Sequence, residues 1–524
     1  MPGAGAFSFL FFFFLQFALE SSAVQLTIRP PPKASTDANN NLINSDNLRY
    51  STNITISGQV VNVLIDTGST DLWVMPPGGL KSFNDTGLST TLRYGDGSNF
   101  VTGDIGIGAF ELDGGQFAVP FQAYLQGTRQ AGEEADFAQN HFGILGLGFD
   151  TPGASRINAA VQQAQGATST VGQSVLSNIF AQNPSGSDYI GISLSRTGDQ
   201  EGTADGSLTI AEYDTDYQAV ANAPKISQVP PNAGVWSVAM DAFSVGGKKI
   251  QWPTTMTTVA PSGKNIVLLD TGTTNILMPA AQVTAVYSSI PGAVLSPNSR
   301  IPLAQFSTTN DVWVVPCTAQ VDVVATFGGQ DFAIHPLDVT DMQILTTPDG
   351  LHNFTVCTNA FTDIGTIGQG ETDALFGDSF LRNVYTAFDF GTGGSTKGTP
   401  FVQMLSNTDP TKSAADLITV RKQTMANMPP ELAPGDLVAV FNGTLDAAKA
   451  VPVAPAADPT TSASASGSTP TSGSGDSGSS GAGAPTSTDT PTDNGKKSSG
   501  MASMEPRMGV VGAILLLAVT SLFF

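Results

Sequence analysis

The sequence predicts a β-rich protein of two related lobes, and three observations support this prediction. One motif occurs twice, at Val63–Leu72 and at Val267–Ile276. Short runs of Val, Ile, Phe and Thr alternate with turn residues, the chain has 56 Gly and 33 Pro, and only 13% of its residues are charged, which is typical of strands joined by turns. With 524 residues the chain is also too long for one compact domain. We therefore expect an all-β, bilobal fold, with lobes at 48–225 and 226–430 related by a pseudo-twofold axis and a cleft between them.

The repeated motif predicts a pair of carboxyl groups. Each copy places an aspartate, Asp66 or Asp270, after an aliphatic run and before a Thr-Gly pair. Glycine lets the backbone bend sharply at that point, so the two copies can face each other. Two adjacent carboxyl groups do not both ionise easily, and one keeps a proton while the other acts as a base. Such a pair can activate water for peptide hydrolysis without a metal or a covalent nucleophile.

A third Asp-Thr-Gly, at Asp85–Gly87, shows that the tripeptide alone is a weak signal. Lys81–Asn84 precede it instead of aliphatic residues, and Asn84 begins an N-glycosylation sequon. We expect this copy on a solvated turn. The aliphatic run before the tripeptide and the second Ser or Thr after its glycine therefore define the functional motif.

Charge and cysteine content narrow the possible functions. The net charge of −22 argues against binding to nucleic acid, because no basic stripe is available to neutralise phosphates. The same charge is consistent with acid tolerance or with an ordinary acidic surface.

In a secreted chain, Cys317 and Cys357 are expected to form one disulfide that stabilises the fold by roughly 4 kcal/mol. The three scattered histidines add no recognisable zinc set. We predict no metal and no other cofactor.

The N-terminal sequence is typical of a secreted protein. The apolar run Phe7–Leu19 is too short to span a bilayer and is followed by small residues. We expect a signal peptide at 1–23, cleaved after Ala23. Residues 24–47 are predicted to be a short pro-segment or a flexible lead-in.

The C-terminal sequence predicts a surface anchor. Residues 451–500 are rich in Ser, Thr, Pro and Gly and predict an O-glycosylated stalk. Residues 501–524 match a glycosylphosphatidylinositol (GPI) attachment signal, with Ser498 preferred over Asn494 as the attachment residue. A tail-anchoring helix is the alternative, but the apolar run is short for a bilayer.

Four sequons agree with passage through the secretory pathway. Their asparagines are Asn53, Asn84, Asn353 and Asn442. We expect a monomer that is secreted and GPI-anchored to the outer face of the plasma membrane or to the cell wall.

A glycine-rich turn, Tyr94–Ser98, predicts a hairpin between the strands Thr91–Tyr94 and Asn99–Ile105. Such a hairpin can close over an extended peptide and exclude water from the two aspartates. An ordinary hairpin, in which Tyr94 only packs, is the alternative.

Two further segments repeat in the same order. Phe142–Gly148 follows the first motif and Ala374–Leu381 follows the second, and each contains an apolar pair that ends in Gly. With these motifs in order, the sequence resembles the pepsin-like aspartic peptidases from Tyr50 to Phe390. The predicted signal peptide, stalk and anchor make it similar to the fungal, GPI-anchored, yapsin-like branch. The resemblance implies a pepsin-like fold and an aspartic-type endopeptidase that acts on peptide or protein substrates.

The resemblance also implies a role for individual residues. Asp66 and Asp270 would share one proton and hold the lytic water. Reciprocal hydrogen bonds of two threonines would lock the loops together, and neighbouring residues would support the carboxylates; these residues are Thr67, Gly68, Ser69, Thr271, Gly272 and Thr273. Tyr94 would hydrogen-bond Trp73 and gate the cleft, and the flap residues Gly95, Asp96 and Gly97 would line the substrate.

Other functions remain possible from the residues alone. A catalytically silent peptide-binding or cell-wall adhesion protein would use the same cleft. Hydrolysis of glycosides also uses two carboxyl groups, but it gives the predicted flap no role. Specificity stays open between basic and hydrophobic residues, because Asp96 and the acidic residues at 133–136 either attract basic substrate residues or are only solvated.

Overall fold

A computed structural model describes residues 41–196, 206–302, 311–393 and 398–453. The predicted signal peptide, most of the stalk and the GPI-attachment tail, with Ser498 and Asn494, lie outside the described residues. Within the described ranges, no helix is long and apolar enough to cross a membrane.

Strands dominate the described part of the chain. They are Ile43–Ser45 (β1), Arg49–Ile56 (β2), Gln59–Asp66 (β3), Leu72–Val74 (β4), Asp85–Tyr94 (β5), Asn99–Leu112 (β6), Phe117–Ala131 (β7), Gly143–Gly146 (β8), Tyr189–Ser193 (β9), Ser207–Ile210 (β10), Ile226–Ser227 (β11), Ser237–Val245 (β12), Lys248–Lys249 (β13), Asn265–Leu269 (β14), Ile276–Met278 (β15), Val294–Ser296 (β16), Val312–Val315 (β17), Val323–Phe327 (β18), Gln330–Ile334 (β19), Thr340–Thr346 (β20), Asn353–Asn359 (β21), Thr362–Asp363 (β22), Ala374–Phe376 (β23), Val384–Asp389 (β24) and Phe401–Ser406 (β25). The α-helices are Glu134–Ala138 (α1), Arg156–Gln165 (α2), Val175–Phe180 (α3), Ala280–Tyr287 (α4), Asp378–Leu381 (α5), Pro410–Met425 (α6) and Pro434–Phe441 (α7).

The first lobe is built on an eight-stranded sheet in the order β1-β2-β3-β8-β4-β7-β6-β5. At its centre β3 runs parallel to β8, and β4 runs antiparallel on the other side of β8. The side chains of Val61, Val63 and Ile65 on β3 are buried in the core. The aliphatic run before Asp66 is therefore a buried central strand, which fixes where the aspartate emerges.

The second lobe repeats this arrangement with other residues. There β14 runs parallel to β23, and β15 runs antiparallel on the other side of β23. These strands carry the second motif and the segment Ala374–Leu381. The bilobal, strand-rich fold predicted from the repeat is confirmed.

A third sheet joins the two halves of the chain, in the order β10-β9-β24-β25-β11. Tyr385 of β24 pairs with Ser193 of β9. Aromatic rings pack nearby: the ring of Trp236 lies 4.3 Å from that of Phe149 and 4.8 Å from that of Phe390. The relative position of the lobes therefore depends on strands that are far apart in sequence.

The two cysteines form the predicted disulfide. Cys317 and Cys357 have Cα atoms 5.1 Å apart and are both buried. Cys357 lies on β21, at the centre of a four-stranded sheet in the order β16-β17-β21-β20. The disulfide therefore links β21 to the segment directly after β17, which contains Cys317.

The structure corrects both predicted ends of the folded region. Residues 43–45 belonged to the predicted lead-in but pair with β2 as β1. At the other end, α7 buries Leu437 and Phe441, and the N–H of Val453 donates to the carbonyl of Glu431 at 2.8 Å. Backbone pairing and apolar burial thus extend the fold beyond the predicted limits at 48 and 430, and into the first residues of the predicted stalk.

We predict that the double substitution Cys317→Ala and Cys357→Ala lowers the free energy of unfolding by up to about 4 kcal/mol, because it releases a loop whose ends are 40 residues apart. Denaturant unfolding of the variant and the wild type would measure the difference. An unchanged unfolding midpoint would contradict the prediction.

Candidate active site

The two aspartates lie at equivalent ends of the central strands. Asp66 is the last residue of β3, and its carbonyl accepts the N–H of Leu147 at 2.7 Å. Asp270 directly follows β14, and its N–H donates to the carbonyl of Phe376 at 3.1 Å. The two aspartates are 5% and 7% exposed. Leu147, directly after β8, and Phe376, the last residue of β23, thus anchor the backbone of the two motifs.

Reciprocal hydrogen bonds join the two motifs. The N–H of Thr67 donates to Oγ1 of Thr271 at 3.1 Å, and the N–H of Thr271 donates to Oγ1 of Thr67 at 3.0 Å. Each hydroxyl also donates to a carbonyl of the opposite strand, that of Leu269 at 2.9 Å or of Ile65 at 3.0 Å. Both threonines are buried, so each of these donors needs its partner.

Each carboxylate is held by its own loop. The N–H of Gly68 donates to Oδ1 of Asp66 at 2.8 Å, and the Ser69 hydroxyl donates to Oδ2 of Asp66. In the second loop, the N–H of Gly272 donates to Oδ1 of Asp270 at 2.8 Å, and the hydroxyl of Thr273 donates to Oδ2 at 2.6 Å. The two carboxylates therefore have matching donors.

The space around the glycines shows how closely the loops approach. A Cβ atom on Gly68 would lie 2.5 Å from Oδ1 of Asp270. A Cβ atom on Gly272 would lie 2.5 Å from Oδ1 of Asp66 and 3.2 Å from Oδ1 of Asp270. Neither glycine has a positive φ, so space, and not a sharp backbone bend, explains the need for glycine at these positions.

The electrostatics of the pair favour a retained proton. Burial and the charge of Asp270 raise the pKa of Asp66 well above its usual range, and the hydroxyl of Ser69 opposes this shift. The proton is shared between coupled groups and belongs to the pair as a whole. Together the two groups can therefore supply a general acid and a general base.

The structure places the Tyr94–Ser98 turn at the tip of a hairpin formed by β5 and β6. Gly95 and Gly97 have φ angles of 58° and 87°, which glycine adopts readily. Asp96 is exposed, and its Oδ1 accepts the N–H of Ser98 at 2.9 Å. Its carboxylate is thus engaged within the turn.

Tyr94 is the last residue of β5, directly before this turn, and is partly buried against the cluster that contains Trp73. Burial and the charges of Asp66, Asp71 and Glu133 raise the pKa of Tyr94 well above its usual range, and the indole of Trp73 opposes the shift weakly. The indole nitrogen of Trp73 is buried without a hydrogen-bond partner. The indole of Trp73 thus lies close enough to affect the pKa of Tyr94 but does not make the hydrogen bond that was predicted between them.

Several charged residues near the site received no role from the sequence. Asp378 is 0% exposed and neither of its carboxyl oxygens has a hydrogen-bond partner. Burial raises its pKa well above the usual range; Arg382 and Arg49 oppose the shift, and the charges of Asp270 and Asp66 add to it. Asp378 stood within the repeated segment after β23, but no pattern distinguished it as a buried, unpaired carboxyl group.

Arg49 is a second residue that the sequence did not single out. Its Nε donates to Asp136 at 2.9 Å, and its Nη1 donates to the hydroxyl of Thr274. Thr274 directly follows Thr273, which holds the carboxylate of Asp270. Arg49 thus links α1 of the first lobe to the second catalytic loop.

The third Asp-Thr-Gly lies apart from the pair. Asp85 is exposed and begins β5 at a bulge, where Gly87 has a φ of 74°. The sequence predicted a solvated turn at this position, whereas the structure shows a bulged strand end.

The asparagines of the four predicted sequons are all exposed, namely Asn53, Asn84, Asn353 and Asn442.

The described ranges contain no group of three or more His, Cys, Asp or Glu side chains that could hold a metal ion.

Several known proteins are similar to this chain. The family model described as "Eukaryotic aspartyl protease" matches residues 49–395. The probable aspartic-type endopeptidase CTSD of Arthroderma benhamiae is 26% identical over 348 residues, which cover 64% of this chain and 57% of that protein. Penicillopepsin-2 of Penicillium janthinellum is 27% identical over 370 residues, which cover 66% of this chain and 76% of that protein.

Two further comparisons extend this set. Cathepsin D of Dictyostelium discoideum is 26% identical over 359 residues, which cover 64% of this chain and 78% of that protein. The crystal structure of the aspartic proteinase from Irpex lacteus superposes with a TM-score of 0.47 at 19% identity and covers 70% of this chain and 97% of that one.

We predict that Gly272→Ala lowers kcat/KM by at least about 100-fold with little loss of folding, because the added methyl group displaces the carboxylates from their relative positions. Peptide hydrolysis and circular dichroism would measure the two effects.

Gly435→Ala is the matched control, since no atom lies within 4 Å of its added Cβ. Equal activity of the two variants would contradict the prediction.

Proposed function

Because the chain belongs to the eukaryotic aspartyl protease family, we propose that it is an endopeptidase in which Asp66 and Asp270 hydrolyse peptide bonds. The observation that carries this proposal is the pair of matching loops, which holds two buried carboxyl groups against each other. The alignment spans 57% of the length of the first curated relative.

The mechanism follows from the protonation of the pair. The raised pKa of Asp66 indicates that the pair retains one proton. In the proposed mechanism Asp66 holds this proton, and Asp270 accepts a proton from a water molecule between the carboxyl groups. The water oxygen attacks the carbonyl carbon as Asp66 protonates the carbonyl oxygen. The C–N bond then breaks as Asp270 gives its proton to the leaving nitrogen, while one hydroxyl group of the tetrahedral intermediate returns a proton to Asp66. The products are a carboxylic acid and an amine, and the pair again holds one proton.

The hairpin of β5 and β6 has a role in this proposal. An added Cβ atom on Gly95 or Gly97 would meet no atom within 4 Å, so the tip is open. The carbonyl of Gly97 accepts Nη1 of Arg93 at 2.9 Å, and the backbone of Gly95 and Asp96 can offer donors and acceptors to an extended peptide. Tyr94 lies behind the tip, close enough for the charge of Asp66 to affect its pKa. Closure of the hairpin would exclude water from the carboxyl groups.

The same protonation supports activity at acidic pH. One proton must remain on the pair, and a raised pKa keeps it there as the pH increases from strongly acidic values. Activity is lost at high pH when that proton dissociates. The net charge of −22 also decreases in magnitude when surface carboxylates are protonated, so acid does not immediately create strong charge repulsion.

Two alternative functions are less well supported. A silent peptide-binding or adhesion protein would not need two carboxylates with matching donors and a coupled proton. A glycoside hydrolase would need two carboxyl groups with different environments, whereas Asp66 and Asp270 have equivalent donors. The geometry therefore favours hydrolysis of peptides.

The location of the enzyme is also a proposal. The apolar N-terminus, the Ser/Thr/Pro-rich tract and the apolar C-terminus support a secreted protein with a stalk and a GPI anchor at Ser498. Four exposed sequon asparagines are consistent with glycosylation in that pathway. A place in the yapsin-like branch rests on the same terminal features.

We predict that Asp66→Asn or Asp270→Asn lowers kcat/KM by at least about 1,000-fold at about pH 4, because each change removes a titratable partner but preserves shape. Asp85→Asn changes the same residue type in the third, exposed Asp-Thr-Gly and should retain full activity. Hydrolysis of a fluorogenic peptide library would measure all three. Cleavage by either active-site variant at the wild-type rate would exclude the mechanism.

We predict that phosphatidylinositol-specific phospholipase C releases the protein from intact cells, because a GPI anchor joins protein and lipid through a bond that this enzyme cleaves. Ser498→Leu should abolish attachment, and Asn494→Leu should not. Release by detergent alone would indicate a transmembrane tail instead.

A further inference from the structure

Two of the four sequons lie in matching positions on antiparallel strand pairs. Asn53 on β2 is opposite Asn62 on β3, and Asn353 on β21 is opposite Thr346 on β20. Residues that are directly opposite in such a pair project to the same face of the sheet. The residue after each sequon asparagine is buried in the core, so the asparagine itself lies on the outer face, where it is exposed.

An exposed aliphatic side chain lies beside each of these two asparagines. Val60 is opposite Thr55, the third residue of the first sequon, and Ile344 is opposite Thr355, the third residue of the second. Val60 is 66% exposed and Ile344 is 51% exposed. Each aliphatic residue is two positions along its strand from the residue opposite the asparagine. It is therefore a diagonal neighbour on the same face, at a distance of roughly 7–8 Å.

The hydrogen bonds of both asparagines leave the same atom available. Oδ1 of Asn53 accepts Nδ2 of Asn62 at 3.2 Å, and Oδ1 of Asn353 accepts the hydroxyl of Thr346 at 2.8 Å. In the part of the chain that the structure describes, neither sequon asparagine donates a hydrogen bond through Nδ2. An N-linked glycan is attached to this nitrogen. The opposite strand therefore orients each amide group by its oxygen and leaves the attachment atom free.

The other two sequons lie outside strand pairs. Asn84 directly precedes β5, and Asn442 directly follows α7. Strand register therefore places no exposed aliphatic residue beside either of them within the described ranges. These two positions are internal controls.

The repeated register is what distinguishes Val60 and Ile344 from other exposed aliphatic residues. A single exposed aliphatic side chain is common on protein surfaces and needs no explanation by itself. Here the same arrangement occurs in two hairpins that belong to different sheets. One face of N-acetylglucosamine, the first sugar of an N-linked glycan, consists of C–H groups, and contact with an aliphatic side chain removes apolar area from water. Because the sugar is tethered next to the side chain, its effective concentration is high.

Resting on the proposed passage through the secretory pathway, we propose that two N-linked glycans cover apolar surface of this protein. The glycan of Asn53 covers the side chain of Val60, and the glycan of Asn353 covers that of Ile344. Each contact stabilises the hairpin that carries it, β2–β3 or β20–β21. Attachment forms a bond between Nδ2 of the asparagine and C1 of the first sugar. The sugar leaves the diphosphate of its lipid-linked donor, and the amide nitrogen loses one proton.

The first measurement is the occupancy of the four sequons, by mass spectrometry of glycopeptides from the full chain secreted by a eukaryotic host. Asn53 and Asn353 should both carry glycans. If either were empty while another sequon carried a glycan, the inference would fail at that site although the protein had entered the secretory pathway. If all four were empty, the secretory location would fail as well, so the two failures are distinguishable.

The second measurement is a double-mutant cycle on thermal stability. Val60→Thr keeps the branched shape and adds a hydroxyl group, and it should lower the Tm by about 1–2 °C when Asn53 carries its glycan. In the Asn53→Gln background, which has no glycan at this position, the same substitution should leave the Tm unchanged. Ile344→Thr with and without Asn353→Gln repeats the test in the second hairpin. Equal Tm changes with and without the glycan would overturn the proposal.

Two control variants separate this contact from a general effect of glycosylation. Asn84→Gln removes a control sequon, and Val60→Thr should keep its full effect in that background. Leu295→Thr changes an exposed residue of β16, a strand without a sequon, and should alter the Tm equally with and without glycans. An effect of Leu295→Thr that disappeared with the glycans would also contradict the proposal.

Enzymatic trimming of the folded protein covers the case in which an Asn→Gln variant does not fold. Endoglycosidase H leaves one N-acetylglucosamine on each asparagine, whereas peptide N-glycosidase F removes the whole glycan. Val60→Thr and Ile344→Thr should still lower the Tm after the first treatment but not after the second. Persistence of both effects after complete removal would refute the assigned contacts.

Discussion

The reciprocal hydrogen bonds of Thr67 and Thr271 are the constraint on which the site depends. Each threonine satisfies the buried backbone N–H of the other and donates its hydroxyl to a carbonyl of the opposite strand. Loss of one hydroxyl would leave a buried donor without a partner at a cost of roughly 1–3 kcal/mol. Because the bonds are mutual, neither loop can move without breaking bonds in the other.

This close approach imposes further requirements on the sequence. Side chains are excluded at Gly68 and Gly272, because a Cβ atom at either position would collide with the opposite carboxylate. Similar crowding applies behind the loops, where a Cβ atom on Gly146 would lie 2.4 Å from the backbone of Thr70, and one on Gly377 would lie 2.0 Å from that of Thr273. The glycine after each apolar pair is thus a packing requirement of both halves.

Burial affects the carboxyl groups around the cleft in different ways. The Asp66–Asp270 pair retains a proton because burial and mutual repulsion oppose double ionisation. Asp136 stays ionised because Arg49 and His141 face it. Burial and the charges of Asp136 and Glu134 raise the pKa of Glu133 to about 7. Burial and neighbouring charges therefore give these carboxyl groups different pKa values.

The sequence by itself determined the duplicated architecture and the identity of the aspartates. Both are local properties: an aliphatic run before Asp66 or Asp270 predicts a buried strand, and the residues after it define the loop. The sequence also predicted the hairpin at Tyr94 and the disulfide of Cys317 and Cys357. The composition of the turn indicates the hairpin, and the presence of only two cysteines indicates the disulfide.

Only the tertiary structure decided which groups meet across long separations in sequence. The sheet that pairs β9 with β24, the bond of Arg49 to Thr274, and the burial of Asp378 and Glu133 depend on contacts between distant segments. The isolated motif likewise suggested a sharp bend at Gly68 and Gly272, whereas the structure shows that lack of space is the cause. Local patterns do not encode the burial of a charge, because burial is produced by what packs against it.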